Sequence, residues 1–246
     1  VAVLRELATA EDEVSVSDLA NRLDLPRTTI HRLLHLLRGQ EMVEWDSGTH
    51  RYKAGAEFYR LSSNLVSRRP VADAARPIMK AIVDRCGETC QLGVPLPGNR
   101  VMAFVEQVES LHPLRYHLPL HSPLPLEWGC SGRVILAYLD DAEIEMVVAA
   151  SEPSPVTGKP LPPKPAFLKE LAKIRKEGFD RTTGEKFSIS GAIGMAVPVF
   201  GAQRAILGSI SLTIPKLRHA ELDDEELKGL LIEGGEQLSR SLGYSR

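Results

Sequence analysis

The chain has 246 residues, 43% apolar and 25% charged, with a formal net charge of −2. These are the proportions of an ordinary globular protein, long enough for one large domain or for a small and a medium one. The near-neutral balance excludes a chain that binds polyanions through bulk charge, so any such role must come from how charge is distributed.

No run approaches 18 consecutive apolar residues, so no membrane-spanning helix is expected. The N-terminus shows no basic region followed by an apolar core, the mark of a signal peptide or anchor. Its opening, VAVLRELA, starts in mid-pattern, as in a chain that continues upstream. Cys86, Cys90 and Cys130 form no disulfide framework and point to a reducing, cytoplasmic setting.

In chain order, Val3, Leu4 and Leu7 share one helical stripe over about residues 1–10. EDEVSV reads as a turn with a short extended piece. SDLANRLD reads as a helix capped by Ser17, with Leu19, Ala20 and Leu23 inward. Pro26 suits the start of the next helix, which runs to Gly39 with Ile30, Leu33, Leu34 and Leu37 as its apolar stripe. Met42, Val43, Trp45, Tyr52 and Lys53 around Asp46-Ser47-Gly48 form a hairpin. AEFYRLSSNLVSR is a further helix, with Phe58, Leu61 and Leu65 at intervals of three and four, stopped by Arg68-Arg69-Pro70.

Beyond that stop, the pattern predicts a helix over 71–86 and two strands around Pro97-Gly98-Asn99. A loop rich in Pro and His follows, over about 109–127. SGRVILAYL is an apolar helix, and another opens at Asp140-Asp141. A proline-rich loop precedes the amphipathic helix PAFLKELAKIRKEGF, which ends at Gly178. Two buried strands then lie within 192–218, and a last helix covers 221–242. This second part is α+β or α/β, with helices outside a partly antiparallel sheet.

Two short helices joined by Leu-Pro, their inner faces apolar, make a helix-turn-helix. From Arg27 to Arg38 the second helix carries three arginines, two histidines and no acid. Arg27, Thr28, Thr29, His31, Arg32 and His35 lie off the apolar stripe, where a recognition helix meets base edges and phosphates in the major groove. His50, Arg51 and Lys53 of the hairpin are candidates for flanking phosphate or a minor groove. Residues 1–68 hold nine basic and ten acidic side chains, so polarity between faces carries the reading. The alternative is a small winged helix used only for protein contact, or a solvated basic face with no ligand. His31 and His35 lack a third ligand nearby, so no metal is expected. One unit buries little DNA, and the helix over 55–68 is placed to pair two of them.

For the larger part, a small-molecule site and catalysis compete. Gly129, Cys130, Ser131 and Gly132 open an apolar helix whose free N–H groups suit a carboxylate. Ser209 and Ser211 point to one side of a strand, and Trp128 and Met195 offer apolar walls. The rival is a cysteine-dependent hydrolase using Cys130, with His112, His117 or His121 as base. WGCSG fails as a nucleophile elbow, and neither a P-loop nor a dinucleotide glycine pattern is present.

VSVSDLANRLDLPRTTIHRLLHLLRGQEMVE, RYKAG, PLPLEWGCSGRVILAYL, FLKELAKIRKEGFDRTTGEKF and SGAIGMAVPVFGAQRAILGSISLTIPKLR, in this order and spacing, resemble the IclR family of bacterial transcription regulators. The resemblance covers nearly the whole chain. It implies an α+β architecture: a winged helix-turn-helix over 1–54, a linker helix over 55–70, and a profilin-like, GAF-related effector-binding and oligomerisation domain over 71–246. It further implies a non-enzymatic regulator that binds double-stranded operator DNA as a homodimer or dimer of dimers, without a cofactor. A small organic acid or aromatic effector would lie against Trp128, Gly129, Cys130, the strand at Gly194 and Met195, and Ser209 and Ser211. The chain has Glu127-Trp128-Gly129-Cys130 and Ser131-Gly132-Arg133 where the family commonly has His-Ala-Thr-Ala and x-Gly-Lys. The departure implies a carboxylate and added bulk at the pocket mouth, hence a narrowed pocket, an aromatic or neutral ligand, or an empty one. Gly184-Glu185 also stand where the family often has two acids.

Overall fold

The structure is a computed structural model and describes residues 2–10, 12–67, 70–96, 100–154, 156–184 and 191–244. Three sequence features, the Arg68-Arg69 stop, the Pro97-Gly98-Asn99 turn and Glu185, lie outside them. The chain divides into two units, Val1–Arg69 and Pro70–Arg246.

The first unit runs α1 (Ala2–Thr9), α2 (Val16–Leu23), α3 (Arg27–Arg38), β1 (Val43–Asp46), β2 (Arg51–Ala54) and α4 (Ala56–Ser67). Its core gathers Val3, Leu7, Val14, Leu19, Ala20, Ile30, Leu34 and Val43, the apolar stripes of α1–α3 closed by the hairpin. Ser15, not Ser17, caps α2: its hydroxyl accepts from the Asp18 N–H, and the Asp18 carboxylate accepts from the Ser15 N–H. That reciprocal pair satisfies two otherwise orphan donors, an advantage Ser17 lacks. Asp24, in the left-handed region at φ 50°, ends α2, and the Pro26 carbonyl then accepts from Thr29 and Ile30 to start α3. Val14 exchanges both backbone hydrogen bonds with Tyr52, adding a short third strand to the hairpin.

The second unit runs α5 (Pro70–Cys86), β3 (Thr89–Leu96), β4 (Val101–Val108), β5 (Leu124–Pro125), α6 (Gly129–Ala137), α7 (Asp141–Ala149), α8 (Lys164–Glu177), β6 (Asp180–Thr183), β7 (Ala192–Phe200), β8 (Ile206–Pro215), α9 (Lys216–His219) and α10 (Asp224–Ser241). Six antiparallel strands form one sheet in the order β5-β4-β3-β8-β7-β6. β5, β6 and α9 are additions to the sequence reading. β6 reads DRTT and sits at an edge, so it lacks the apolar run that marks a buried strand.

α5 and α10 bury one face of this sheet with Ile193, Met195, Val197, Ile210, Leu212 and Ile214. The other face carries α6, with α8 outside it, around Phe104, Leu126, Val134, Ile135 and Phe167. Period-2 alternation therefore gives the α6 side Ala192, Gly194 and Ala196 of β7, and Ser209, Ser211 and Thr213 of β8. Small residues on β7 let α6 lie close to the strand. A Cβ on Gly194 would stand 2.8 Å from Cys130 Sγ, and one on Gly132 would stand 2.5 Å from the Leu126 carbonyl oxygen. Arg133 fastens α6 sideways: its Nε donates to Asp180 Oδ2 at 2.9 Å, and its Nη1 lies 2.9 Å from Glu170 Oε2.

Candidate DNA interface and effector cavity

α3 turns Ile30 and Leu34 into the core and leaves Arg27, Thr28, His31, Arg32, His35 and Arg38 exposed, with Thr29 half-buried. The helical repeat places Thr28, His31, Arg32 and His35 near the middle of the outward face and Arg27 and Arg38 along one edge. Among the described residues, no carboxylate pairs with Arg27, Arg32, His31 or His35. The Arg27 and Arg32 guanidinium groups are therefore available to an external anion rather than neutralised by the chain's own acids.

The hairpin is pinned beside the C-terminal end of α3. Arg38 lies over the Trp45 ring at 5.6 Å, and the Trp45 and His50 rings stand 5.6 Å apart. Asp46 Oδ1 accepts from the N–H groups of Gly48 and Thr49, which forms the turn and holds the Asp46 carboxyl below its usual range. His50, Arg51 and Lys53 are exposed. Arg51 Nη1 donates to the Glu13 carbonyl at 2.9 Å, and Lys53 lies 3.6 Å from Glu44. An exposed ion pair of that kind contributes roughly 0–1 kcal/mol, so a phosphate can displace it.

In the second unit, a cavity of about 150 Å³ lies between the start of α6 and the sheet. Met102, Phe104, Leu118, Leu124, Pro125 and Trp128 give it an apolar wall. Gly129, Cys130, Ser131 and Gly132 of α6, Thr182, Ala192, Gly194 and Thr213 of the sheet, and Val156 complete the lining. Among the described residues, none that lines the cavity carries a formal charge. The N–H groups of Gly129, Cys130 and Ser131 open α6, where a helix has no internal acceptors for them, and no side chain caps it. An apolar wall facing a row of donors suits a compact molecule with an acidic or carbonyl head.

The structure sorts the effector residues expected from sequence. Trp128, Gly129, Cys130 and Gly194 line the cavity. Met195 does not: one position along β7 turns it to the opposite face, where it is fully buried in the α5–α10 core. Ser209 and Ser211 share the cavity's sheet face but are not among the lining residues. Ser209 Oγ donates to the Ser131 carbonyl at 3.2 Å, so it anchors α6. Glu127 is buried and also outside the lining, so the expected carboxylate at the mouth is absent from the cavity wall. Burial, reinforced by Glu152, raises its pKa. Met102, Phe104, Leu118, Leu124, Thr182 and Thr213 are additions. Of these, only Thr213 had a signal, as the next member of the Ser209–Ser211 alternation.

Cys130 is a wall residue rather than a nucleophile. Burial pushes its thiol up to about 12, reinforced by the nearby Asp180 carboxylate. At neutral pH it is a thiol, and nucleophilic chemistry needs the thiolate. No histidine lines the cavity: His112 stands beside Gly87, and His117 Nδ1 lies 3.0 Å from Glu109 Oε1.

Comparison with known proteins gives this geometry its context. The family model for the bacterial transcriptional regulator IclR C-terminal domain matches residues 63–240, and that for the IclR helix-turn-helix domain matches residues 1–47. The chain belongs to the IclR family. SauR of Cupriavidus necator is 29% identical over 216 residues, 88% of this chain and 84% of SauR. An IclR-type crystal structure from Silicibacter sp. TM1040 superposes with a TM-score of 0.81 at 24% identity, covering 100% of this chain and 96% of that one. An IclR homologue from Microbacterium hydrocarbonoxydans, crystallised with 4-hydroxybenzoate, gives 0.79 at 20% identity over 98% and 96% of the two chains. This IclR-family protein is thus a DNA-binding transcriptional regulator with an effector-binding C-terminal domain, and nothing in the comparisons favours the hydrolase alternative. Among its described residues, no helix is long and apolar enough to cross a membrane.

Proposed function

We propose that this regulator reads its operator through the outward face of α3, with Thr28, Thr29, His31, Arg32 and His35 directed to base edges and Arg27 to phosphate. His50, Arg51 and Lys53 reach the flanking backbone. The observation that carries this reading is a cationic helix face without a carboxylate partner among the described residues, in a domain whose ten acids outnumber its nine bases. It works in the cytoplasm, where its DNA is.

The working unit is a homodimer, alone or paired again into a tetramer. α4 supports this: Tyr59 is 64% exposed and Leu61 40%, an apolar surface left uncovered on the helix that serves as linker. Two copies related by a two-fold axis read two half-sites about one helical turn, or a multiple of it, apart.

The effector is a small organic or aromatic acid in the α6 cavity. A space of about 150 Å³ is the size that accepts one benzene ring, and a carboxylate fits the N–H groups at the start of α6. The 4-hydroxybenzoate held by the Microbacterium homologue supports this size and chemistry. With Glu127 away from the wall, one of the two grounds for a degenerate pocket falls away, while Trp128 still lines it.

The test is selection of duplexes from a randomised library by the full chain. An enriched two-fold symmetric site, lost with the Arg27→Ala/Arg32→Ala protein while its sedimentation is unchanged, is the expected outcome. Equal enrichment by both proteins refutes the assignment of α3.

A further inference from the structure

We propose that Arg38, Trp45 and His50 form a site for a backbone phosphate of duplex DNA where the end of α3 meets the hairpin, with the Trp45 ring as the platform that positions the other two. This rests on the reading of α3 as the recognition helix.

α3 has 12 residues, so Arg27 and Arg38 lie about 16 Å apart along its axis at 1.5 Å per residue. The major groove is about 12 Å wide. A helix whose first turn lies at the base edges therefore carries its last residue to the sugar–phosphate wall. Arg38 is that residue. It stands on the edge of α3, off the central line of Thr28, Arg32 and His35, and so faces backbone rather than bases.

This end of the helix needs a cation. The free carbonyls at a helix C-terminus carry partial negative charge, which opposes a phosphate. On the hairpin, Arg51 Nη1 already donates to the Glu13 carbonyl, and Lys53 stands beside Glu44. Arg38 is exposed, and among the described residues no carboxylate pairs with it.

Trp45 is placed for Arg38 rather than for the core. It is 37% exposed and stands outside the apolar cluster of its unit. The Arg38 guanidinium and the His50 ring each lie 5.6 Å from the centre of its ring. His50 adopts the left-handed region at φ 55°, uncommon for a residue with a side chain, just after the turn that Asp46 closes on Gly48 and Thr49. A ring face attracts a guanidinium without using its N–H donors, which stay open to phosphate oxygens. Holding a long side chain in place beforehand also lowers the entropy lost on binding. The imidazole adds a donor from the hairpin side. A phosphate met from both elements fixes the position of the unit on the duplex and carries no sequence information.

The test is fluorescence anisotropy of the full chain on the duplex enriched from the randomised library and on a scrambled duplex, over a series of salt concentrations. Arg38→Ala should weaken both duplexes by the same factor, about five- to tenfold at 0.1 M salt, and lower the slope of log affinity against log salt by about one. Trp45→Leu should show an equal loss on both duplexes with a reduced slope. Arg38→Lys keeps the charge but presents no planar group to the ring, so it should restore the slope and only part of the affinity. His50→Ala should weaken both duplexes by a smaller, equal factor. Wild-type slope and affinity in Arg38→Ala, or a loss confined to the enriched duplex, would overturn the site. Wild-type affinity in Arg38→Lys would overturn the platform even where Trp45→Leu folds poorly, and wild-type affinity in His50→Ala would remove His50 from the site. Arg32→Ala, measured alongside, separates this inference from the reading of α3. If it keeps the wild-type preference for the enriched duplex, that reading fails and takes the phosphate site with it. If it loses the preference while Arg38→Ala binds as the wild type does, the phosphate site alone fails.

Discussion

Gly194→Ala probes the contact on which the cavity depends. The new Cβ would stand 2.8 Å from Cys130 Sγ and 3.0 Å from Thr182 Oγ1, both wall atoms held in a close-packed interior. Cys130 and Thr182 are short side chains with little freedom to retreat, so α6 must shift away from β7. Overpacking of this kind costs about 1–3 kcal/mol. In a domain of this size that is roughly 2–4 °C of Tm for each kcal/mol, hence a drop between about 2 and 12 °C. The same shift should displace the N–H groups at the start of α6, so effector binding weakens more than stability does. Cys130→Ala removes the closest atom, and the double variant should recover part of both losses, a coupling expected only for residues in contact. Thermal unfolding monitored by circular dichroism, with calorimetric titration of a panel of small aliphatic and aromatic acids that includes 4-hydroxybenzoate, reads both quantities. A Gly194→Ala protein with wild-type Tm and wild-type effector affinity would show that α6 does not lie against β7 at this point.

Three further outcomes follow from the same structure. Native protein at pH 8 should resist alkylation at Cys130 and label there only on unfolding, as peptide mass spectrometry can show; rapid native labelling would contradict a thiol pushed up to about 12. Burial raises the Glu127 carboxyl, so its contribution to stability is complete below the usual value of 4.5 and is lost as pH rises through the raised one. Glu127→Gln, which cannot ionise, should therefore gain in Tm over the wild-type protein between pH 5 and 8 and lose that gain near pH 4; a gain that grows on acidification would refute the sign. Ser15→Ala should destabilise the N-terminal unit by about 1 kcal/mol through loss of its cap, whereas Ser17→Ala should have the smaller effect. Denaturant unfolding of both proteins decides which serine caps α2.

The longer helices of both units are legible because their apolar residues recur at helical spacing and their ends carry strong signals, such as Gly178 closing α8 in the left-handed region at φ 64°, whereas the four-residue α9 is too short to show that spacing. The recognition face was legible for the same reason: core positions on α3 leave the rest outward. Faces of β7 were harder. In AIGMAVPVF every position is apolar or small, so hydropathy alone does not separate its two sides. The alternation of size does, since Ala192, Gly194 and Ala196 face the helix that must come close while Ile193, Met195 and Val197 fill the larger core. The mistaken side for Met195 follows from reading hydropathy without volume. Ser15-x-x-Asp18 carries the spacing of a reciprocal cap, a stronger signal than the place of Ser17 beside the apolar residues. Phe104, Leu118 and Leu124 reach the cavity only through strand register and a long loop, neither of which leaves a local pattern.

The central claim, that the outward face of α3 reads DNA sequence, is tested most directly by fluorescence anisotropy of the wild-type and Arg32→Ala proteins. Each is titrated onto a selected operator duplex and onto a scrambled duplex, over a series of salt concentrations. Binding of both duplexes should weaken linearly on a log–log scale as salt rises. Arg32→Ala should lose about 1–3 kcal/mol on the operator while binding to the scrambled duplex changes far less, so the specificity ratio collapses. An unchanged ratio, or wild-type affinity for the operator in the Arg32→Ala protein, would contradict the account.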